Sequence, residues 1–262
     1  MPTLKPKHLR PEYGAQFGDA SIVAAYRYRP PYPAEVFEIL DGLMVDGPRL
    51  VLDAGCGSGD LAIPLARIVE RVDAIDLSAA MVKVAQDRAQ AADLPIHFIH
   101  AAMEDATLSP PYALVTAAES LHWMEWDKVL PRFRQLLAQG GVLAIVGRVE
   151  QANPWWPDLL KVIQTHSSNR DFQPYDLVAE LEARNLFRLL GRRRTEPVPL
   201  TQTVDDYVES IHSRNGFSRD RMTSEGAEAF DSEARDLLER FALNGRLRFE
   251  VAGSVVWGEP AP

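Results

Sequence analysis

A strand-like apolar run that ends in a glycine-rich turn constrains this chain more than any other feature. Val51-Leu52-Asp53-Ala54 leads directly into Gly55-Cys56-Gly57-Ser58-Gly59, and a helix is predicted to follow. Glycines allow a tight turn between strand and helix, and they let a ligand approach the backbone closely. The segment therefore predicts the first strand and the ligand-binding turn of an α/β domain.

Short apolar runs alternate with amphipathic stretches, which is typical of a parallel sheet flanked by helices. The first part of the chain predicts strands over residues 50–54, 72–75, 96–99, 113–117 and 142–146. It predicts helices over residues 21–26, 34–40, 61–69, 78–91 and 127–137, the last ended by Gly140-Gly141 as its C-cap. After residue 147 we predict helices near Trp155 and over 175–184, 203–211 and 224–243, with strands over 187–199 and 246–257. The segment 187–199 is either one long strand or a strand with a loop.

Length and charge limit the classes of function. The 262 residues have room for one large α/β domain, or for a domain with a small lid. The formal net charge of −9 opposes the charge of nucleic-acid phosphates, so we expect no nucleic-acid partner. The basic cluster Arg192-Arg193-Arg194 is either a solvated strand edge or a local binding patch.

Cysteine usage and hydropathy give an expectation for location. Cys56 is the one cysteine, so no disulfide can form within the chain, which suits a reducing compartment. No apolar run reaches the ~18 residues that a membrane span needs. Residues 1–10 also lack the apolar core of a signal peptide. We therefore expect a cytoplasmic protein without a membrane partner.

Two acidic positions narrow the choice of ligand. Asp60 stands where the last glycine of the dinucleotide pattern Gly-x-Gly-x-x-Gly would fall, and an acid there suits a pyrophosphate poorly. Asp76 ends the second predicted strand, about twenty residues beyond the glycines, where a carboxylate accepts hydrogen bonds from ribose hydroxyls. The other interpretation of Asp76 is a helix N-cap, because Ser78 follows closely.

These residues carry a resemblance to a known family. Val51 to Gly59 together with Asp76-Leu77-Ser78 resembles the class I S-adenosylmethionine-dependent methyltransferases. The segments Tyr28 to Pro33, Glu119 to Trp123 and Gln139 to Gly141 resemble a narrower branch that acts on small molecules. That branch includes enzymes similar to trans-aconitate methyltransferase and to those of ubiquinone pathways. The resemblance covers residues 20–147 and implies a seven-stranded, mostly parallel, doubly wound sheet with an antiparallel last strand, plus a helical lid insertion.

The resemblance implies S-adenosylmethionine as cofactor and S-adenosylhomocysteine as product. The turn Gly55-Cys56-Gly57 would wrap the methionine part, and Asp53 would lie beneath it. Asp76 would bind the ribose hydroxyls, and Leu77 would pack on one face of the adenine.

The resemblance assigns further positions to the same cofactor. Met103 and Glu104 match the adenine-binding turn after the third strand. Tyr28 and Arg29 belong to an arm that would close over the cofactor, where Arg29 would pair with its carboxylate. The remaining predicted cofactor contacts are Met81, Ala118, Glu119 and Trp123.

The acceptor is predicted to be a small molecule that receives the methyl group on oxygen, or on carbon or nitrogen. For a neutral hydroxyl acceptor, His122 is the first candidate general base and Glu119 the second. A carboxylate or enolate acceptor needs no base, and Arg214 or the Arg192 to Arg194 cluster would then supply counter-charges. The chain lacks the Asn/Asp-Pro-Pro-Tyr segment of enzymes that methylate amino groups of DNA and protein, and no metal is expected.

These observations predict three units and leave alternatives open. Residues 1–45 form an arm and helices that close over the cofactor, 46–150 form the cofactor-binding core, and 151–262 complete the sheet and carry a helical substrate lid. A monomer and a homodimer both remain possible. The alternatives are a protein that binds S-adenosylmethionine or its product without transfer, an NAD-dependent oxidoreductase, and a tRNA methyltransferase, which the acidic charge disfavours.

Overall fold

Apolar runs form strands at every position that the sequence analysis assigned to one. The structure, a computed structural model, describes residues 5–44, 47–90, 94 and 96–261. Its strands are β1 (Leu50–Ala54), β2 (Arg71–Asp76), β3 (Ile96–His100), β4 (Tyr112–Ala118), β5 (Leu137–Glu150), β6 (Phe187–Arg194), β7 (Val198–Thr203) and β8 (Arg246–Pro260). The predicted unit boundary at residue 45 and the predicted helix end at residue 91 lie outside the described residues.

Within the described residues, eight strands form one sheet with the order β3-β2-β1-β4-β5-β8-β6, and β7 also pairs with β8. Strands β1 to β5 are parallel, whereas β8 is antiparallel to β5, β6 and β7. This confirms the predicted class, a mostly parallel α/β sheet whose last strand is antiparallel. The strand order reverses between β1 and β4, and open α/β sheets bind ligands beside the carboxyl ends of strands at such a point.

The predicted count of seven strands is one too few, because residues 187–199 divide between two strands. β6 and β7 lie end to end along the same edge of β8. Between them, Thr195 N donates to Gly253 O at 2.9 Å, and Gly253 N donates to Thr195 Oγ1 at 2.8 Å. Pro197 follows and has no N–H for a ladder, so the pairing restarts at Val198.

Helices fill the connections between strands. They are α1 (Pro11–Gly14), α2 (Ala20–Ala25), α3 (Ala34–Gly42), α4 (Ala62–Leu65), α5 (Ala79–Gln90), α6 (Trp126–Leu136), α7 (Trp156–His166), α8 (Leu177–Ala183), α9 (Val204–His212) and α10 (Ser224–Glu239). Side-chain caps fix several of their starts, as Thr203 Oγ1 accepts from Asp206 N at 3.0 Å and Ser78 Oγ accepts from Met81 N at 3.2 Å.

Two sequence predictions about helices were wrong. The helix predicted over 61–69 is only the single turn α4, after which Arg67 N and Ile68 N bond three residues back and the chain turns toward β2. Gly140-Gly141 does not cap α6, because the chain is already extended at Leu137. The glycines instead lie in β5 at a register shift, where a Cβ on Gly141 would come within 3.0 Å of Ala113 O.

The centre of the sheet is buried on both faces, so β1 and β4 are nearly continuous apolar runs. Leu52, on one face, belongs to a core with Phe133 of α6, and Val51, on the other, belongs to a core with Leu40 of α3. A third core joins α7, α9 and α10 to β7 and the first half of β8. We call this third part the helical unit. Among the described helices, none is long and apolar enough to cross a membrane.

The helical unit depends on Phe230, which is 0% exposed. Its ring centroid lies 4.7 Å from that of Phe217, with the two rings tilted by 48°. Replacing Phe230 with alanine should lower the free energy of unfolding by about 3–5 kcal/mol, since the cavity cannot close fully. Urea unfolding followed by circular dichroism measures this. Phe172→Ala is the control, because Phe172 is largely exposed, and its cost should be below about 1 kcal/mol. Equal losses in the two variants would contradict this account of the core.

Candidate functional site

The glycine turn after β1 adopts backbone conformations that only glycine takes easily. Gly55 has φ +75° and Gly57 has φ +51°. A Cβ on Gly55 would lie 2.4 Å from the Cβ of Ser120, whose Oγ donates to Ala54 O at 2.6 Å. The turn that follows β1 is therefore pressed against the turn that follows β4, at the point where the strand order reverses.

A cavity of about 410 Å³ opens over this turn, and we call it the glycine cleft. Its volume lies in the usual range for small-molecule sites, roughly 300–1,000 Å³. It is lined from the sheet by the turns after β1 to β4, including Gly55, Gly57, Ile75, Asp76, Leu77, Met81, Ala101, Ala102, Met103, Glu104, Ala118, Glu119, Ser120, Trp123, Met124 and Glu125.

Asp76 is fixed at the centre of the glycine cleft by two backbone donors. Gly57 N donates to Oδ2 and Ser78 N donates to Oδ1, both at 2.8 Å. Burial raises the pKa of Asp76, while these two hydrogen bonds act in the opposite direction. The carboxylate thus fixes the turn before α5 and lines the cleft, whereas the N-cap of α5 is Ser78 and not Asp76.

The N-terminal segment, residues 5–28, forms the opposite wall of the glycine cleft. Pro11, Gly14, Ala15, Phe17 and Tyr26 line it.

This segment is held by the loop after α9. Ser218 Oγ and Arg221 Nε donate to Asp19 Oδ2, both at 2.6 Å. Asn215 Nδ2 donates to Tyr13 O at 2.7 Å, and Gly216 N donates to a side-chain oxygen of Gln16 at 2.9 Å. The wall over the cleft is therefore attached to the helical unit.

A second cavity, of about 540 Å³, adjoins the first, and we call it the arginine cavity. Its lining is Phe17, Arg29, Pro30, Glu119, His122, Trp123, Arg148, Val149, Glu150, Gln151, Ala152, Trp156, Ser210, Arg214 and Asn215. Phe17, Glu119 and Trp123 line both cavities. The two cavities therefore adjoin at these three side chains.

Glu119 is held between two arginines at this boundary. Arg29 Nη1 lies 3.1 Å and Arg148 Nη2 lies 3.4 Å from Glu119 Oε2, and both arginine side chains are at most 13% exposed. Burial opposes ionisation of Glu119, but Arg148 and Arg29 outweigh it and hold the pKa of this carboxyl below its ordinary value. Glu119 is thus a fixed anion, at a backbone φ of +52°.

A second acid–arginine pair lies farther along the arginine cavity. Arg214 Nη2 donates to Glu150 Oε1 at 2.9 Å, and Tyr207 Oη donates to Glu150 Oε2 at 2.7 Å. Both carboxylates of this cavity are therefore engaged by donors of the protein itself.

His122 and Trp123 complete the boundary region. Burial lowers the pKa of His122 to about 4, and the facing Glu119 only partly offsets this. The imidazole is therefore neutral at physiological pH. Its ring lies 4.7 Å from that of Trp123, whose Nε1 is buried without a hydrogen-bond partner in the described residues.

Asp53 lies beneath the glycine turn with no exposed surface. Thr116 Oγ1 donates to its Oδ1 at 2.8 Å, whereas Oδ2 has no partner among the described residues. Burial raises the pKa of Asp53 to about 7, against the hydrogen bond from Thr116. A nearby cationic ligand group would therefore stabilise the ionised form.

Comparison with known proteins agrees with this geometry. Residues 51–141 match the family described as a methyltransferase domain. An uncharacterised methyltransferase of Mycobacterium tuberculosis is 37% identical over 110 residues, which are 41% of this chain and 55% of that protein. Trans-aconitate 2-methyltransferase of Methylobacterium radiotolerans is 37% identical over 113 residues, 41% of each chain. The chain thus spans about half the length of these curated relatives.

Solved structures extend the likeness of fold to most of the chain. A proposed type II methyltransferase from Anaeromyxobacter dehalogenans superposes with a TM-score of 0.60 at 23% identity, over 88% of this chain and 96% of that one. A Thiobacillus denitrificans methyltransferase in complex with S-adenosyl-L-homocysteine superposes with a TM-score of 0.53 at 18% identity, over 92% of this chain and 96% of that one. Residues 51–141 thus resemble methyltransferase domains, and the described chain has the fold of these solved structures.

Most cofactor contacts predicted from the sequence meet in one place in this fold. The glycine cleft is lined by ten of them, namely Gly55, Gly57, Asp76, Leu77, Met81, Met103, Glu104, Ala118, Glu119 and Trp123. Asp53 and Cys56 are buried and outside its lining, Cys56 with its thiol toward Gly57 O at 3.8 Å.

The arm residues lie elsewhere than the resemblance implied. Arg29 lines the arginine cavity, and its guanidinium donates to Ser213 Oγ and to Glu119 Oε2. His122 also lines that cavity. Tyr28 lies outside the lining of both cavities, with its hydroxyl accepting from Arg27, and it is Tyr26 that faces the turn. Arg192 to Arg194 lie on the exposed part of β6, away from both cavities.

Sequence reasoning missed several side chains of the candidate site. Pro11, Gly14 and Phe17 come from a stretch that carries no motif. Arg148 and Gln151 could have been found, because Arg148 lies near the carboxyl end of β5 and Gln151 directly follows it, where polar residues of α/β sheets face ligands.

Glu119→Gln tests the buried ion pairs. The variant removes the carboxylate that pairs with Arg29 and, among the described residues, leaves Arg148 only the more distant Asp60, so the free energy of unfolding at pH 7 should fall by about 2–4 kcal/mol. Because the pKa of Glu119 is depressed, its contribution is present above its ordinary pKa of 4.5 and is lost as pH falls below it. The difference from wild type should therefore shrink in acid.

Urea unfolding at pH 7 and pH 4 measures both effects. The control is Glu125→Gln, since Glu125 is exposed and pairs only on the surface with Lys128, and its cost should stay near 0.5 kcal/mol. A loss in Glu119→Gln that does not change with pH would rule out the ion-pair explanation.

Proposed function

We propose that the chain is an S-adenosylmethionine-dependent methyltransferase that acts on a small molecule, with the cofactor in the glycine cleft and the acceptor in the arginine cavity. One observation carries this proposal: the two cavities meet across Phe17, Glu119 and Trp123. Methyl transfer requires two ligands in adjoining sites, and holding them aligned is the main contribution an enzyme can make to such a displacement.

The residues of the glycine cleft suit the proposed cofactor. Asp76 presents a fixed carboxylate for ribose hydroxyls, and Leu77, which is 70% exposed, offers an apolar face for adenine. Gly55 and Gly57 leave room against the backbone for the methionine part, above the unpaired Oδ2 of Asp53. When bound, S-adenosylmethionine supplies an activated methyl group on a cationic sulfur.

The geometry disfavours the NAD alternative. A dinucleotide pyrophosphate binds at the N-terminus of a full helix after the glycine turn. Here that helix, α4, has only four residues, and Asp60 precedes it. Arg148 and Arg88 hold the pKa of Asp60 below its ordinary value despite burial, so a negative charge stands in the place of the pyrophosphate.

The alternative of cofactor binding without transfer is disfavoured by the arginine cavity. A protein that only held the cofactor would not require a second, polar cavity of about 540 Å³ at the same boundary. Calorimetry with S-adenosylhomocysteine and with NAD, followed by transfer assays with labelled cofactor against carboxylic acids, phenols and quinone precursors, separates the three alternatives. Binding of NAD alone would overturn the proposal.

The chain's own residues act by positioning and by excluding water. Residues 11–17 cover the glycine cleft, and Ser210, Arg214 and Asn215 form one wall of the arginine cavity. We infer that the N-terminal segment and the helical unit close over the cofactor and the acceptor, respectively. Glu119 is occupied by two arginines and His122 has a low pKa, so neither is a strong base.

Asp76→Asn should weaken the binding of S-adenosylhomocysteine by tenfold or more, because one carboxylate acceptor is lost where the ribose is proposed to bind. Calorimetric titration of the full chain measures this dissociation constant. The matched control is Asp87→Asn, since Asp87 is exposed on α5 and pairs only with Lys83. An affinity unchanged in Asp76→Asn would remove this residue from the cofactor site.

His122 should leave no inflection near pH 6.5 in the profile of kcat/KM, because its pKa of about 4 keeps the ring neutral across pH 5.5–8. His122→Gln should therefore change the level of kcat/KM without changing the shape of the profile in that range. An inflection near pH 6.5 that disappears in His122→Gln would show that the histidine titrates there and acts as the base.

A further inference from the structure

The charges that line the arginine cavity do not balance. Arg29, Arg148 and Arg214 face two carboxylates, Glu119 and Glu150, and the imidazole of His122 is neutral. Each carboxylate is already engaged, Glu119 by two of the arginines and Glu150 by the third together with a tyrosine hydroxyl. The described lining therefore has three arginines and two carboxylates, both of which have partners, while Asp60, outside the lining, supplies a further carboxylate 3.6 Å from Arg148 Nη1.

Arg214 is the arginine whose donors remain available. Its Nη2 bonds to Glu150, while Nε and Nη1 have no partner among the described residues, and its side chain is 35% exposed. Arg29 and Arg148, by contrast, each spend donors on Glu119 and on the surrounding chain, including Ser213 O and Pro30 O. Glu150 thus fixes the Arg214 guanidinium through Nη2 and partly neutralises its charge.

Two further donors in this cavity are buried without partners in the part of the chain described. They are the side-chain amide nitrogen of Gln151 and Nε1 of Trp123. A buried donor left unpaired costs about 1–3 kcal/mol, so turning either side chain toward a ligand that supplies acceptor oxygens recovers this energy. Gln151 directly follows Glu150, the residue that orients Arg214, and Trp123 lies at the boundary with the glycine cleft.

We propose that the arginine cavity selects a small organic anion, whose acidic group is anchored by Arg214 and Gln151, and that Glu150 sets the strength of this anchor. The inference rests on the proposed function, since it identifies the class of the acceptor. A cationic ligand would face arginines and, in the described lining, no carboxylate without a partner, and a neutral one would not match the charge of the donors that Arg214 leaves available. Carboxylate and phosphate oxygens both fit a guanidinium fork, so the shared chemistry is an anionic oxygen group.

An anionic acceptor also agrees with the weak bases of the site. A carboxylate already carries the electron pair that forms the bond to the methyl carbon as the bond from carbon to sulfur breaks, so no proton has to be removed. The neutral His122 and the ion-paired Glu119 are then sufficient.

The test uses the full chain saturated with S-adenosylhomocysteine and titrated calorimetrically with matched probes. Benzoate is compared with benzamide, glutarate with glutaramide, and phenyl phosphate with phenol. At least one anion should bind more tightly than its neutral partner, and the carboxylate and phosphate arms identify which acidic group is preferred. Arg214→Gln should weaken that anion by tenfold or more.

The control Arg192→Gln removes the same charge from the exposed part of β6 and should change the affinity less than twofold. Glu150→Gln keeps an acceptor for Tyr207 but frees Arg214, so it should tighten the anion by about threefold or more. A purely structural role of Glu150 predicts the opposite sign. If Arg214→Gln does not fold, the Glu150→Gln variant still tests whether Arg214 anchors the anion.

The proposal is overturned if no anion binds more tightly than its neutral partner, if Arg192→Gln weakens the anion as much as Arg214→Gln, or if Glu150→Gln weakens it. Failure of the proposed function is seen separately, as absence of S-adenosylhomocysteine binding by the wild-type chain. The anion titrations are then repeated without it, and the same comparisons apply.

Discussion

The site depends on the two ion pairs that the carboxylate of Glu119 makes with arginines. Glu119 directly follows β4, and it is held by Arg29, which directly follows the N-terminal segment, and by Arg148 of β5. Removing charges from water is costly, and the cost is recovered only when the partners keep good geometry. The three side chains therefore fix the N-terminal segment to the carboxyl edge of the sheet, where both cavities open. Arg29 extends the connection to the helical unit through Ser213.

The glycine turn is the second constraint, and it acts through close packing. Ser120 follows β4 and bonds to Ala54 at the end of β1, so there is no room for a side chain at Gly55. The same compression brings Gly57 N to Asp76. The position of Asp76 is thus determined by neighbours on both sides, which explains why one short motif and one acid twenty residues later define so much of the cleft.

The parts of the structure that the sequence predicts are those set by local pattern. β1 has the predicted bounds. Asp76, Leu77 and Met103 line the cleft because each lies at or just after the carboxyl end of a parallel strand, at the same edge of the sheet. Tyr26 replaces Tyr28 at the cleft because a 3-10 turn over Tyr26–Tyr28, which the proline pattern does not specify, decides which ring faces inward. Gly140 and Gly141 look like a helix cap, yet pairing with β4 makes them part of a strand. In both cases contacts with distant segments override the local signal.

The two cavities share more than a boundary. Residues 11–17 cover the glycine cleft, and the loop after α9 that holds them also supplies Arg214 and Asn215 to the arginine cavity. Asn215 bonds to Tyr13 O, and Asp19 accepts from Ser218 and Arg221. A displacement of the N-terminal segment that opens the cleft must break these bonds, and the wall of the arginine cavity then loses its support. Access to one cavity is therefore energetically linked to the order of the other, and the linkage acts equally in both directions.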